Sequence, residues 1–304
     1  MEPGSVFHYT SAEGLLGIIE SKVLWASEAS SLNDTAELNQ GWEIIDKWLS
    51  GQPDSDTVST LRYLAEIPRT ARTEVLVLSA STDPEDAGQW RNYGAEGRGY
   101  AVEIDAGLPL AAVAVGPEPA PENPPSEPGK RLFMVPSRLW LGGWERVLYS
   151  SADMDQALHN LIEYREEKRA WEQQARDGEE FDERWQEVEA DILGQMATLA
   201  GRDKSPGFMG EREHRVLVGA EWGSAHLHHR AGRYGVVAYA ELTGAPDAST
   251  RFLYGTEPAT RTLPIRSVRV GPELPEENVR TVQRLLRVNG FEDVAVKRAE
   301  VPLR

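Results

Sequence analysis

The sequence predicts an α+β fold, because its strand-like and helix-like segments do not alternate regularly along the chain. Three patterns support this. Glu74–Ser81 is a run typical of a buried strand, an amphipathic helix follows the first strand, and the last third of the chain is rich in strand-like segments. No internal repeat is apparent, and we expect a single domain over residues 1–304.

The first third of the chain begins with a short strand around Val6–Tyr9, followed by a helix. Thr10 or Ser11 is suited to cap this helix, with Glu13 in its first turn, and the apolar spacing ends near Ser21. The elements expected next are a strand at Leu24–Ala26, a polar loop over 27–34, a helix at about 35–50, the buried strand, and an alternating strand at Tyr100–Ile104.

Two long segments of the middle of the chain differ sharply in composition. Residues 107–139 contain eight prolines, which favours an exposed extended loop. Residues 151–200 are polar and charged with helical spacing, which predicts a helical insertion of two helices split near Gly178. The elements expected after it are strands at 213–218, 234–240 and 263–270, a helix at 276–288, and a strand at 294–296.

Composition excludes several classes of protein. Lys and Arg number 32 against 49 Asp and Glu, a net charge of −17, which argues against non-specific binding to nucleic acid. The absence of cysteine removes disulfides and thiolate metal sites. There is no long uncharged apolar run, and the N-terminal segment does not resemble a signal peptide. We therefore expect a cytoplasmic protein that makes no membrane contact.

Two places carry residues suited to chemistry. His8 lies on the first strand beside Tyr9 and Thr10; it can be a buried histidine bonded to a carbonyl, or a group that binds a ligand hydroxyl. On a strand that starts before an apolar run, Glu211, Glu213 and Arg215 would share one face. Such a charged row is either a solvated edge or, where buried, paired or functional.

Other polar and aromatic groups have more ordinary interpretations. Trp90, Asn92 and Tyr93 precede a turn and are typical of core residues. The polar residues Ser27, Asn33, Asp34 and Glu37 are typical of a loop and a helix cap. The segment with His226, His228 and His229 looks like an exposed hairpin loop, and without a carboxylate partner it does not predict a metal site.

Several stretches in order resemble a known family. They are FHYTSAEGLLGIIESKVLWASEASSLNDTAE, then VLSAS with WRNYG and GYAVEID, then EREHRVL, and finally VRVGPELPEENV with EVPLR. Together they are similar to a bacterial domain family of unknown function related to the abortive-infection AbiGi proteins, a divergent branch of the ADP-ribosyltransferase superfamily. The resemblance leaves out the proline-rich loop and the helical insertion. It implies a core of two small mixed or antiparallel sheets that clasp NAD, with flanking helices.

The resemblance also implies roles for individual residues. Glu213 matches the catalytic glutamate and Glu211 the acidic residue two positions before it. His8 would complete the catalytic set by holding the ribose hydroxyl of the nicotinamide half, with the Tyr9 backbone facing the amide and Tyr93 stacking on the nicotinamide ring. The remaining residues expected to contact NAD are Thr10, Ser27, Asn33 and Arg215, of which Arg215, or Arg91, would bind the pyrophosphate.

The function expected from this resemblance is an NAD-dependent ADP-ribosyltransferase, a toxin or phage-defence effector, with NAD as its substrate. Its acceptor would be a macromolecule or a small molecule that the sequence does not identify. Two alternatives stay open: an inactive ADP-ribosyltransferase-like binding or regulatory module, and an NAD glycohydrolase with water as acceptor.

Overall fold

Helices and strands are interleaved in the computed structural model, which describes residues 4–29, 37–71, 73–115, 140–175, 192–221, 226–232 and 235–302. The helices are α1 (Ala12–Ser21), α2 (Glu37–Ser50), α3 (Asp56–Ala71), α4 (Ala87–Asn92), α5 (Ser151–Ala175), α6 (residues 192–200) and α7 (Glu277–Val288). The strands are β1 (Ser5–Thr10), β2 (Leu24–Glu28), β3 (Thr73–Ser81), β4 (Tyr100–Asp105), β5 (Leu110–Ala114), β6 (Trp140–Leu141), β7 (Glu145–Arg146), β8 (Glu213–Glu221), β9 (His228–Gly232), β10 (Gly235–Gly244), β11 (Phe252–Tyr254), β12 (Ile265–Val270) and β13 (Ala295–Arg298). The predicted α+β class is confirmed.

The strands form one connected mixed sheet, so the expectation of two small sheets is wrong. Its main path runs β11-β5-β10-β2-β3-β1-β4-β12-β13. Strand β3 connects β8 to the strands of the main path. One of its edges pairs antiparallel with β8 from Thr73↔Glu221 to Ser81↔Glu213. Its other edge pairs with β2 at Val77 and with β1 at Ser81. Because both edges of β3 are hydrogen-bonded, the sheet does not divide there.

Different helices pack on the two faces of the sheet. On one face the alternate residues of the central strands form the largest core, which includes Val102, Leu78 and Val218. Helices α1 and α7 cover this face with Ile19 and Leu286. Ser11 caps α1 by accepting a hydrogen bond from the Gly14 amide, and the helix ends at Ser21, as predicted from the sequence.

The opposite face meets a helical layer at β3 and β8. Val75, Val77 and Leu217 project from these strands against Leu38 of α2. Helices α2, α3, α5 and α6 then share a second core among themselves, and its fully buried side chains include Ile45 and Met196. None of the helices in the described ranges is long and apolar enough to cross a membrane.

Two interpretations of local structure are wrong. Residues 110–114, assigned to the exposed loop 107–139, form the buried strand β5, because this stretch of small apolar residues between Pro109 and Pro117 contains no proline. His228 and His229 lie in β9 rather than in a hairpin loop, since β9 pairs with β10. The predicted helices of residues 151–200 are confirmed at α5 and α6, whereas their split near Gly178 lies outside the described residues.

The contact between α2 and α6 gives a test of the helical layer. A Cβ added at Gly41 would lie 2.1 Å from the carbonyl oxygen of Ala200, so Gly41→Ala forces two backbones apart. We expect a loss of about 2 kcal/mol in the free energy of unfolding, measured by urea denaturation. Gly17 of α1 has open space around it, so Gly17→Ala is the matched control, neutral or stabilising by up to about 1 kcal/mol. Equal effects of the two substitutions would contradict this packing.

Candidate functional site

The start of β8 carries a buried group of charges. The chain enters it through a short 3-10 turn, Pro206–Glu211, and then Arg212 in the left-handed region (φ 47°). Glu213 and Arg215 follow at alternate positions and are 6% and 4% exposed. Glu211 lies in the turn rather than on the strand, but its carboxylate still joins the group. The predicted charged row is therefore buried and not a solvated edge.

Lys204 links the two carboxylates of this group. Its Nζ lies 2.7 Å from Oε2 of Glu211 and 2.9 Å from Oε2 of Glu213. The guanidinium of Arg215 donates from Nε to Oε1 of Glu213 at 2.7 Å, and from Nη2 to Oε2 at 3.1 Å. Two cations thus balance two anions. We refer to Lys204, Glu211, Glu213 and Arg215 as the ion cluster.

The ion cluster keeps Glu213 ionised. Burial by itself would raise the pKa of this carboxyl, but the charge and hydrogen bonds of Arg215, the charge of Lys204 and a hydrogen bond from the Ser79 side chain outweigh it. The pKa of Glu213 is held at about 2. The carboxylate is therefore fixed in position and negatively charged throughout the physiological pH range.

Hydrogen bonds from distant segments tie the cluster to its surroundings. The Glu213 amide donates to the Tyr149 hydroxyl at 3.0 Å, and Nη1 of Arg215 donates to the Gly201 carbonyl at 2.8 Å. The Ser81 hydroxyl donates to the Glu211 carbonyl at 2.7 Å. The cluster therefore joins β3 and β8 to the chain before α5 and after α6.

His8 is partly buried on β1 and bonded to β3. Its Nδ1 lies 2.9 Å from the Ser79 carbonyl oxygen. Burial lowers the pKa of the imidazole, although the bond to Ser79 opposes this, so the ring is neutral at physiological pH. Because a carbonyl oxygen only accepts, the proton lies on Nδ1. This leaves Nε2 as a hydrogen-bond acceptor, the form that can bind a hydroxyl.

Ser79 forms hydrogen bonds with both His8 and Glu213, but the strand register places these two side chains on opposite faces of the sheet. Phe7 pairs with Ser81, and Ser81 pairs with Glu213, so these three residues form one row across the sheet. His8 is next to Phe7 on β1 and points to the opposite face, where its partner on β4 is the core residue Val102. His8 and Glu213 thus approach Ser79 from different sides.

The other residues expected to contact NAD do not all gather here. Tyr9 lies beside Trp90, with ring centroids 5.0 Å apart, and its hydroxyl donates to the Asp83 carbonyl at 2.6 Å. Thr10 ends β1, opposite Tyr100. Tyr93 is exposed at the end of α4. Ser27 lies on β2, where it accepts a hydrogen bond from Arg230, and Asn33 lies outside the described residues.

Sequence reasoning missed Lys204, Tyr149 and Ser79 as parts of this site. Ser79 had a signal, since a hydroxyl inside the otherwise apolar run VLVLSAS needs a polar partner. Lys204 and Tyr149 had none, because only the fold brings them to β8. Within the described ranges there is no group of three or more His, Asp and Glu side chains placed to hold a metal ion.

The stability of the ion cluster gives a prediction with a defined pH range. Glu213→Gln leaves buried cations under-compensated and is expected to cost about 3 kcal/mol in the free energy of unfolding at pH 7. Because the folded pKa is lowered, the contribution of Glu213 is complete above the unfolded pKa and is lost as the pH falls through the folded pKa. The difference between wild type and variant should therefore shrink from about pH 4.5 to pH 2.

Chemical denaturation at a series of pH values measures this difference. The control is Asp83→Asn. Asp83 pairs with the exposed Arg212 at an N–O distance of 3.0 Å. We expect this surface pair to contribute less than about 1 kcal/mol to the free energy of unfolding. A Glu213→Gln effect no larger than that of the control would show that the cluster does not stabilise the fold.

Comparison with known proteins finds one family. Residues 89–216 match the model of a family described as "Protein of unknown function (DUF2971)", so the match includes α4, β4 and the start of β8 with Glu211, Glu213 and Arg215. No curated protein matches the chain, and no solved structure matches it. The family description names neither the AbiGi proteins nor the ADP-ribosyltransferase superfamily. Residues 89–216, less than half of the chain, are thus similar to a domain family of unknown function.

Proposed function

We propose that the protein is an NAD-dependent ADP-ribosyltransferase in which Glu213 is the catalytic carboxylate. One observation carries the proposal: Ser79 forms hydrogen bonds with both His8 and Glu213. Its carbonyl oxygen accepts from the neutral imidazole of His8, and its hydroxyl donates to the carboxylate of Glu213. The two residues implied by the resemblance, 205 positions apart in the chain, are thereby neighbours of one residue. An ADP-ribosyltransferase-like core within the larger sheet is part of the same proposal.

The proposed reaction needs a permanently charged carboxylate. When the bond between nicotinamide and ribose breaks, nicotinamide leaves with the bonding electrons and positive charge develops on the ribose. A fixed anion beside the ribose stabilises this transition state more than the neutral ground state of the ribose. The pKa of Glu213, held at about 2, provides such an anion without a proton having to leave first.

The remaining roles follow from which groups can accept hydrogen bonds. Nε2 of His8 can accept from a ribose hydroxyl, because the proton of the neutral ring is on Nδ1. Glu211 is less buried than Glu213, with 16% of its side chain exposed. It can take the proton that the attacking acceptor group loses as the new bond to the ribose carbon forms. Water in place of the acceptor would make the protein an NAD glycohydrolase.

A second candidate function is an inactive ADP-ribosyltransferase-like module that binds a ligand or a partner. Both oxygens of Glu213 already accept hydrogen bonds from Arg215, and one of them also accepts from Lys204. The strand register also directs His8 and Glu213 to different faces. Both observations favour a structural role for Glu213.

Release of nicotinamide from NAD tests the first candidate. Incubation of the full chain with labelled NAD and cell lysate should release nicotinamide and label an acceptor. His8→Asn retains a donor for the Ser79 carbonyl but removes the Nε2 acceptor, so the rate should fall on the order of ten-fold or more while the fold is unchanged. Glu213→Gln should abolish release, and its circular dichroism spectrum checks that it folds.

Three results distinguish the candidates. Release with a labelled acceptor supports the transferase, and free ADP-ribose without a labelled acceptor supports the glycohydrolase. The inactive module is supported if wild type binds NAD but releases nicotinamide no faster than the folded variants do. If wild type neither binds nor cleaves NAD in calorimetry and in the release assay, the NAD-dependent proposal is wrong.

A further inference from the structure

Away from the ion cluster, a group of aromatic and cationic side chains covers β2, β10 and β9. Directly paired residues share a face, and Tyr239 pairs with both Ser27 and His228. Arg230 of β9 pairs with Val237, and Trp25 of β2 pairs with Glu241, so both point to the same face as Tyr239. We refer to Trp25, Tyr239, His228 and Arg230 as the aromatic patch.

The rings of the aromatic patch stack on one another and leave the indole open. The centroids of Trp25 and Tyr239 are 4.5 Å apart, and His228 stacks on Tyr239 at 5.4 Å with an angle of 27° between the ring planes. Tyr239 is buried under these contacts, whereas Trp25 is 43% exposed. The opposite face of β2 and β10 is core, with Leu24 and Leu242, so packing of the core does not require an outward indole.

A guanidinium group lies over this partly exposed ring. The Cζ of Arg230 is 5.5 Å from the Trp25 ring centroid, and its Nη2 donates to the Ser27 hydroxyl at 3.0 Å. Its Nε is buried without a hydrogen-bond partner among the described residues. An arginine guanidinium in contact with a partly exposed indole combines a cation and an aromatic ring, the two features that recognise a flat ring joined to an anion.

We propose that the aromatic patch binds a purine mononucleotide, with the base stacked against Trp25 and the phosphate on Arg230. Base stacking on an aromatic side chain and an arginine–phosphate contact are the two interactions that such a ligand needs. A polynucleotide fits less well, because the chain carries a net charge of −17 and Glu241 lies on the same face, 3.6 Å from Arg261. The proposal does not depend on the transferase chemistry, since it uses other residues.

Calorimetric titration of the full chain with AMP, and separately with adenosine, tests the two contacts. Wild type should bind AMP more tightly than adenosine. Trp25→Ala should weaken both ligands by about ten-fold or more, whereas Trp25→Phe should retain most of the affinity. Arg230→Gln should weaken AMP by about ten-fold but leave adenosine unchanged, because only AMP carries a phosphate.

Two exposed residues elsewhere provide matched controls. Tyr63 of α3 is 62% exposed, and Arg266 of β12 lies at the surface, 2.7 Å from Asp105. Tyr63→Ala and Arg266→Gln should leave AMP affinity unchanged. The proposal is overturned if wild type does not bind AMP at millimolar concentration, or if Trp25→Ala binds it as wild type does. It is also overturned if wild type is a dimer that does not bind AMP and sedimentation shows that Trp25→Ala is a monomer. The aromatic patch would then be a contact between two copies of the chain.

Discussion

The ion cluster around Glu213 is the constraint on which the site and much of the surrounding fold depend. A charge removed from water costs several kcal/mol unless it is paired, so Glu213 and Arg215 require each other and Lys204. Lys204 reaches the cluster from the chain after α6, and Tyr149 from the chain before α5. The same bonds that satisfy the charges therefore hold the helical layer against β8.

Strand β3 extends this constraint across the sheet. It pairs with β8 on one edge and with β2 and β1 on the other, so it links the strand that carries the cluster to β1 and β2. Its Ser79 meets His8 from β1 and the Glu213 carboxylate from β8. Although the chain has a net charge of −17, positive and negative groups balance in this buried cluster. That balance keeps Glu213 ionised, as the proposed chemistry requires.

The sequence predicted those features that depend on neighbours along the chain. Helix α1 was predicted because its cap and apolar stripe are local, and the shared face of Glu213 and Arg215 because side chains alternate along β8. Strand β5 was missed because the many prolines after it hid a short apolar run. The single connected sheet was missed because no local pattern tells which edges of β3 are paired. Lys204 and Tyr149 required the fold itself.

The most direct test of the proposed chemistry is a crystal structure of the protein with NAD bound, because it tests the residues and the ligand together. We expect the ribose of the nicotinamide half to lie within hydrogen-bond distance of the Glu213 carboxylate. A dinucleotide bound elsewhere, with Arg215 and Lys204 still occupying both oxygens of Glu213, would contradict it.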